Sequence, residues 1–329
     1  MNICIHFWIF QKNSNSTPIQ ILIMSYKQMV PIQCASSEVS MWKPAHSVVF
    51  GAARLWNKYA PRGKGAIPRL LGRTLGKNLQ VYVSTAGGAR LAVQPSSLDV
   101  YVDIVNHGGV WNEHVFTTCA SLLEKGHVFW DVGANVGYMS IEMARKFQDE
   151  VHVFSFEPQP VLSHIIAVSA ALNDFSNVKV FETMLGDVDG EAELYVGSHA
   201  IHASARPREK HSKRVTRCVV TIDSLVQTAQ VMAPHVIKMD IEGGELSALL
   251  GAKDVISTHK PHIIFETDEN MIRFGYERKD ILQLLSECAP YEFYFIDKNG
   301  SLIPVGPFNL NAPYSDILAT IRARTHLAK

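Results

Sequence analysis

A chain of 329 residues, 47% hydrophobic and 19% charged, has the composition of a globular enzyme built as one large domain or two modest ones. Its 31 basic and 31 acidic residues cancel, so overall charge gives no reason to expect a nucleic-acid partner or an acidic membrane surface. The cysteines, Cys4, Cys34, Cys119, Cys218 and Cys288, are scattered and never form a CxxC pair. That pattern points to reduced thiols in the cytoplasm rather than to a disulfide framework or a zinc site.

The opening MNICIHFWIF is apolar but lacks a basic flank and a cleavage site, so it does not read as a signal peptide. No apolar run reaches the roughly 20 residues that would insert stably in a membrane. Residues 1–40 are expected to be a poorly ordered extension, with Met24 and Met41 as alternative starts. An accessory region over 41–107 follows. It begins with a basic lead-in carrying Arg54, Lys58, Arg62, Lys64, Arg69, Arg73 and Lys77. It continues with VYVSTAGGARLAVQP (81–95), a hairpin turning at Gly87–Gly88. Helices are predicted near 97–106 and 111–125.

From Gly126 onward strands and helices alternate. Strands are predicted at HVFWDV (127–132), HVFSFE (152–157), VKVFET (178–183), HVIKMDI (235–241) and HIIFE (262–266). Helices are predicted over 136–147, 160–173, 243–251 and near 278–288, with EFYFID (292–297) as an added strand. The order implies a doubly wound α/β sheet that binds its ligand at the carboxyl ends of the strands.

The first strand–helix turn, FWDVGANVGYMS (129–140), spaces its glycines as Gly133-x-x-x-Gly137. Asn135 stands where a dinucleotide fingerprint has its middle glycine, so a pyrophosphate loses the close approach it needs. No Gly-Lys-Ser/Thr follows, which removes the phosphate-loop reading. Asp131 before the turn would repel a pyrophosphate and attract an ammonium. S-adenosylmethionine carries an amino group and a sulfonium and no phosphate, and so suits the turn better. Glu157 ends the next strand 26 positions on, where an acid accepts hydrogen bonds from ribose hydroxyls.

Three stretches together resemble one family, the FkbM-type S-adenosylmethionine-dependent methyltransferases. They are DVGANVGYMS (131–140), the run from FEPQP to GEAELYV (156–196), and TIDSL followed by VIKMDIEGGELSALLGAKDVI and KPHIIFE (221–266). GGVWNEHV (108–115) resembles the segment before the family's core. The resemblance implies a Rossmann-like class I methyltransferase domain over 108–329, with a mostly parallel seven-stranded sheet flanked by helices. It also implies methylation of a hydroxyl on a sugar, lipid or polyketide. Carried over by position, Asp131, Gly133, Asn135 and Gly137 line the methionine end of the cofactor, Glu157 holds the ribose, and Asp187 contacts the adenine.

In KMDIEGGE, strand alternation puts Lys238, Asp240 and Glu242 on one side. Methyl transfer needs an aligned acceptor and a base to take its proton, roles open to Asp240 and Glu242. Glu266, ending the next strand, is a candidate to hold a substrate hydroxyl. Glu242 and Glu245 also suit a helix N-terminus, with Lys238 paired to one of them. His199, His202 and His211 lack the spacing of a metal site, and no metal is expected. The basic residues of 198–217, including Arg206 and Arg217, read as a solvated loop. The other readings are an N-methyltransferase of the same fold, a dinucleotide-dependent oxidoreductase, and a non-catalytic cofactor-binding protein.

Overall fold

The computed structural model describes residues 31–34, 43–44, 80–94, 97–196, 203–207, 213–307, 310 and 315–321. Most of the extension and of the basic lead-in, and His199, His202 and His211, lie outside the described residues. Eight strands form the central sheet: β1 (Val128–Val132), β2 (His152–Phe156), β3 (Val178–Phe181), β4 (Val236–Met239), β5 (His262–Thr267), β6 (Glu292–Ile296), β7 (Leu302–Pro304) and β8 (Ser315–Thr320). Their spatial order is β7-β6-β8-β5-β4-β1-β2-β3.

Strands β1 to β5 run parallel. β8 lies antiparallel between β5 and β6, and these seven strands make the Rossmann-like sheet. Short β7 pairs with the outer side of β6 as an eighth strand. The chain steps outward from β1 to β3 and then returns to β4 beside β1, so the strand order reverses there. That switch point opens a crevice at the carboxyl ends of β1 and β4.

All five residues of β1 are buried, as a strand covered on both faces requires. Val128, Trp130 and Val132 pack with Ile237, Met239 and Phe265 in one core, while Phe129 joins Val236 and Ile264 in another. The first face is covered by α5 (Ile222–Gln227), α6 (Glu245–Leu250), α7 (Lys253–His259) and α9 (Arg278–Cys288). On the second lie α2 (Glu113–Ser121) and α3 (Tyr138–Phe147), with α4 (Pro160–Leu172) over β3. Pro160 opens α4, where its fixed φ suits the first turn and its missing N–H costs nothing. Asp131 falls on the α2–α3 face by strict alternation, which decides what it can reach.

The hairpin of Val81–Ser84 and Arg90–Ala92 has the turn expected, with Gly88 at φ +90. Together with α1 (Leu98–Asn106) it buries Leu91, Val93 and Tyr101 against Tyr138 and Ile141 of α3 and Leu162 of α4. The accessory segment therefore shares a core with the sheet domain. A second hairpin, Gly190–Val196 with Lys213–Val220, stands beyond β3. Short pairings to Met184–Leu185 and Ala203–Ser204 complete a separate four-stranded sheet.

Candidate active site

A cavity of about 1030 Å³ opens at the carboxyl ends of the parallel strands, with the second hairpin forming one wall. It is large enough for a nucleoside-sized cofactor with part of an acceptor. Its floor is the turn after β1. Gly133 has φ +78, and a Cβ there would stand 1.9 Å from the Asp240 carbonyl oxygen. Only glycine lets the turn pass this close to the end of β4. Gly137, at φ +82, caps α3 with its Cα against Ile166.

Between them Asn135 adopts the left-handed region at φ +54. Its main-chain N–H donates to Glu157 Oε2 at 3.0 Å, and Glu157 Oε1 accepts the Gln159 N–H at 3.0 Å. Burial pushes the Glu157 carboxyl up to about 7, and those two amide donors pull the other way. Gly133, Asn135 and Glu157 all reach the cavity wall. The Asn135 side-chain oxygen is buried there without a hydrogen-bond partner.

Asp131 stands one layer behind. It is fully buried and is not part of the cavity wall. Its Oδ2 accepts the Ser140 hydroxyl at 2.6 Å, and Ser140 in turn accepts the Ser155 hydroxyl at 2.7 Å. Burial raises its pKa, opposed by the Lys238 ammonium at 3.7 Å. Lys238 does reach the wall and lies 3.3 Å from Asp240 Oδ2. Burial works to neutralise Lys238, but Asp240 and Asp131 outweigh it and hold the ammonium charged. Lys238 thus pairs with Asp131 and Asp240, and not with Glu242 or Glu245.

The predicted alternation holds for Lys238 and Asp240 but stops there. The strand ends at Met239, and Glu242 turns into the left-handed region at φ +58. The Glu242 carboxylate accepts the Asn270 amide at 2.8 Å at the edge of α8 (Asn270–Phe274). Glu245 holds the same turn from inside: Oε1 accepts the Ile241 N–H at 2.8 Å and Oε2 the Tyr276 hydroxyl at 3.0 Å. Its carboxyl is pushed up to about 7 by burial.

Glu266 shares the cavity wall with Asp240. The Asp240 charge beside it, then burial, pushes its carboxyl up to about 9, and the two carboxyls share a hydrogen bond. The Asp240 charge thus favours the protonated form of Glu266 at neutral pH. Asp187 lies exposed at the other end of the wall, where it accepts the Ser247 hydroxyl at 2.9 Å.

Sequence reasoning missed two residues behind this wall. Asp316 of β8 pairs in register with Glu266, and His114 Nε2 of α2 lies 3.2 Å from Asp316 Oδ2. The short SDILAT strand carries no motif that would have drawn attention to Asp316. The expected solvated loop also differs in part. Ser204 donates to the Glu242 carbonyl at 3.1 Å, and the Arg206 guanidinium sits 5.1 Å above the Phe274 ring while donating to the Arg273 carbonyl.

The wall fits a cofactor with an adenosyl and an amino-acid end. A carboxylate at the end of β2 is poised for hydroxyls, a backbone-lined turn sits at the switch point, and a buried amide oxygen lacks a donor. The N–H groups of Gly133 and Ala134 donate to the Phe156 carbonyl and that of Asn135 to Glu157, while Lys238 is held by Asp131 and Asp240, so the turn presents no free amide nest for a pyrophosphate. Residues 131–290 match the family described as Methyltransferase FkbM domain. Residues 131–290 thus carry an FkbM methyltransferase domain. The matched segment carries every cofactor and catalytic candidate named from the sequence, while His114 and Asp316 fall outside it.

Two curated relatives were found. The chain is 27% identical to the hexuronic acid methyltransferase AglP of Haloferax volcanii over half of its own length and 64% of that protein's. It is 26% identical to the methyltransferase sdnD of Sordaria araneosa, over half of this chain and 78% of that one. The chain thus spans just under two thirds of the archaeal relative. Among solved structures, an FkbM methyltransferase from Methylobacillus flagellatus is similar at 19% identity and a TM-score of 0.39, covering 68% of this chain and 54% of that one.

Proposed function

We propose that this chain binds S-adenosylmethionine in the crevice between β1 and β4 and methylates a hydroxyl group of a sugar, lipid or polyketide-type acceptor. One observation carries the reading. The crevice has a ribose-type carboxylate, Glu157, on one side of the Gly133 turn and the carboxyls of Asp240 and Glu266 side by side on the other. When bound, S-adenosylmethionine supplies a methyl group on a sulfonium sulfur that leaves as a neutral thioether.

The chain's own residues supply the rest. Glu157 and Asn135 bind the ribose and the backbone-facing end of the cofactor, and the Gly133–Gly137 turn holds the amino-acid end. Asp187 lies toward the adenine. Asp131 acts from behind the wall, keeping Lys238 placed against Asp240. Asp240, a third of its side chain exposed, takes the acceptor proton, and Glu266 holds a substrate hydroxyl. Glu242 shapes the acceptor end through Asn270.

The archaeal relative's action on a hexuronic acid supports a sugar acceptor. The balanced charge gives no support to a nucleic acid. Among the described residues no helix is long and apolar enough to cross a membrane. The scattered cysteines support a cytoplasmic protein, and 108–329 is read as the catalytic unit. An N-methyltransferase is the second reading, since an amine and a hydroxyl need the same alignment.

The test is calorimetric titration with S-adenosylmethionine and with NAD, together with transfer of a tritiated methyl group into a cell extract. Binding of S-adenosylmethionine alone, with labelling of an extract component that Asp240→Asn abolishes, is the expected result. Binding of NAD without S-adenosylmethionine would overturn the reading. Label in an amine product would move it to nitrogen.

A further inference from the structure

The Asp240–Glu266 pair is not isolated. Polar side chains run without a break across five neighbouring strands on the α2–α3 face of the sheet. They begin at Ser155 on β2, pass Asp131 on β1 and Lys238 on β4, and reach Asp240 just beyond it. Glu266 on β5 follows, and directly opposite it in the antiparallel register stands Asp316 on β8. Side chains so paired have Cβ atoms only about 5 Å apart. Asp316 then meets His114 on α2, with 3.2 Å between Nε2 and Oδ2.

The two ends of this row differ. Ser155, Ser140 and Asp131 are sealed inside the protein. His114 and Asp316 have side chains 21% and 26% exposed. Asp240 and Glu266 line the cavity, whereas His114 and Asp316 do not. The row therefore runs from the cavity wall to two partly exposed side chains that are not part of that wall. Other charged groups on elements packed against α2 are Glu292 on β6 and Glu142, Arg145 and Lys146 on α3. Glu292 accepts the Tyr294 hydroxyl and Glu142 is paired with Arg145. Among the described residues Asp316 is the acid that bonds His114.

We propose that Asp316 and His114 form the outlet through which the proton taken from the acceptor leaves the site. The proposal rests on Asp240 as the group that takes that proton. Methylating a hydroxyl forms a C–O bond and breaks the donor's C–S bond, whose electron pair stays on sulfur, and one proton is released. A proton arriving at Asp240 meets a neighbour, Glu266, that is already largely protonated. Both carboxyls are then protonated, and the pair must shed one proton before it can accept another. Passing the excess to Asp316 and on to the imidazole of His114 returns the pair to its resting state and delivers the proton to water. His114 and Asp316 touch neither acceptor nor cofactor in this scheme. They are positioning and relay residues.

A plain ion pair docking α2 onto β8 is the competing explanation, and two measurements separate them. The first follows the His114 imidazole by nitrogen NMR in the full chain, assigned with His114→Gln and recorded without cofactor. A row acting as one unit moves the His114 titration midpoint down by about 0.5 pH unit in the double variant Asp240→Asn/Glu266→Gln, which removes the net negative charge of the pair. Lys238→Met, which removes a positive charge, moves it up and serves as the second variant should the first unfold. A docking pair responds to Asp316→Asn but to neither of these, and that result overturns the proposal.

The second is tritiated methyl transfer from S-adenosylmethionine into cell extract. His114→Ala slows it about tenfold or more, and added imidazole restores it. Unchanged transfer, or a loss that imidazole leaves untouched, also overturns the outlet. Transfer absent in the wild type would instead sink the activity reading, and the imidazole titration would still report whether the row is coupled.

Discussion

Glu157 accepts the main-chain N–H of Asn135 at 3.0 Å, tying the end of β2 to the turn after β1. The same carboxylate closes its own exit turn through the N–H of Gln159. Two amide donors fix its orientation toward the cavity and leave lone pairs for ribose hydroxyls. Glu157→Gln keeps the shape but removes the charge from those contacts. Hydrogen bonds to a charged group contribute roughly 1.5–3 kcal/mol, so the variant is expected to bind S-adenosylmethionine about 10- to 100-fold more weakly in calorimetry. Unaltered affinity with an intact fold would mean that the ribose sits elsewhere.

The same carboxyl makes cofactor binding pH-dependent. Burial raises its pKa to about 7. Hydroxyl donors from a ribose favour the charged form, so binding releases the proton wherever Glu157 is protonated beforehand. Affinity for S-adenosylmethionine is therefore expected to be level above about pH 7.5 and to fall as pH drops below 7. In Glu157→Gln that acid limb should vanish. A limb of equal slope in both proteins would assign it to another group.

The parallel half of the sheet was readable because its strands are short, mostly apolar runs alternating with helical segments. α9 was bounded at Arg278–Cys288 as expected because of its clear helical period. In the antiparallel half β6 was readable as EFYFID, but β8 was not. β8 is six residues long, starts with Ser315 and Asp316, and is held by partners far away in the chain. α7 and α8 are short and follow glycines or acids with little periodicity. The site divides the same way. Gly133, Asn135 and Glu157 announce themselves by spacing along one strand–turn–helix unit. The retreat of Asp131 behind the wall depends on which face its strand turns to α3, and the turning of Glu242 toward Asn270 on where β4 stops. The Glu266–Asp316–His114 alignment depends on register between segments up to 202 residues apart.

Thr85 joins the accessory hairpin to the domain. Its hydroxyl donates to the buried Glu142 carboxylate, which is also paired with Arg145 at 3.0 Å, and accepts the Ala89 N–H at 3.0 Å. Thr85→Val keeps the volume and deletes both bonds. The expected loss is about 2–3 kcal/mol, because a charged group and a buried N–H each lose a partner. Denaturant unfolding should show it as a lower midpoint of a single transition, since the hairpin shares a core with α3 and α4. Loss of the hairpin in a separate early transition would show that it folds as its own unit.

His235 and His127 stack with ring centroids 4.1 Å apart at the amino ends of β4 and β1. His235 Nδ1 accepts the Val128 N–H at 3.1 Å and His127 Nδ1 the Glu124 N–H at 3.1 Å. Each accepting nitrogen must therefore be unprotonated. Burial, then the neighbouring His127 and His259, lowers the His235 pKa below its ordinary 6.5. The unfolded chain then binds this proton more readily than the folded one. The stabilisation is complete above about pH 6.5 and is lost as pH falls through and below that value. His235→Asn can still accept the Val128 N–H but cannot titrate. Its melting temperature is expected to fall less than that of the wild type between pH 7 and 5, and parallel curves would remove His235 from the acid response.

Gly133 is the position where turn, strand and site meet. Its φ of +78 disfavours any side chain, and a Cβ would overlap the Asp240 carbonyl, which is main chain and cannot swing aside. Gly133→Ala must push the turn away from the end of β4, at a cost of about 3 kcal/mol for strained backbone and displaced contacts. That movement separates the Asn135–Glu157 end of the crevice from the Asp240–Glu266 end. The variant is therefore expected to melt several degrees lower and to lose S-adenosylmethionine binding more severely than Glu157→Gln, which leaves the turn in place. A Gly133→Ala protein with reduced stability but wild-type affinity would show that the turn supports the fold without shaping the cofactor site.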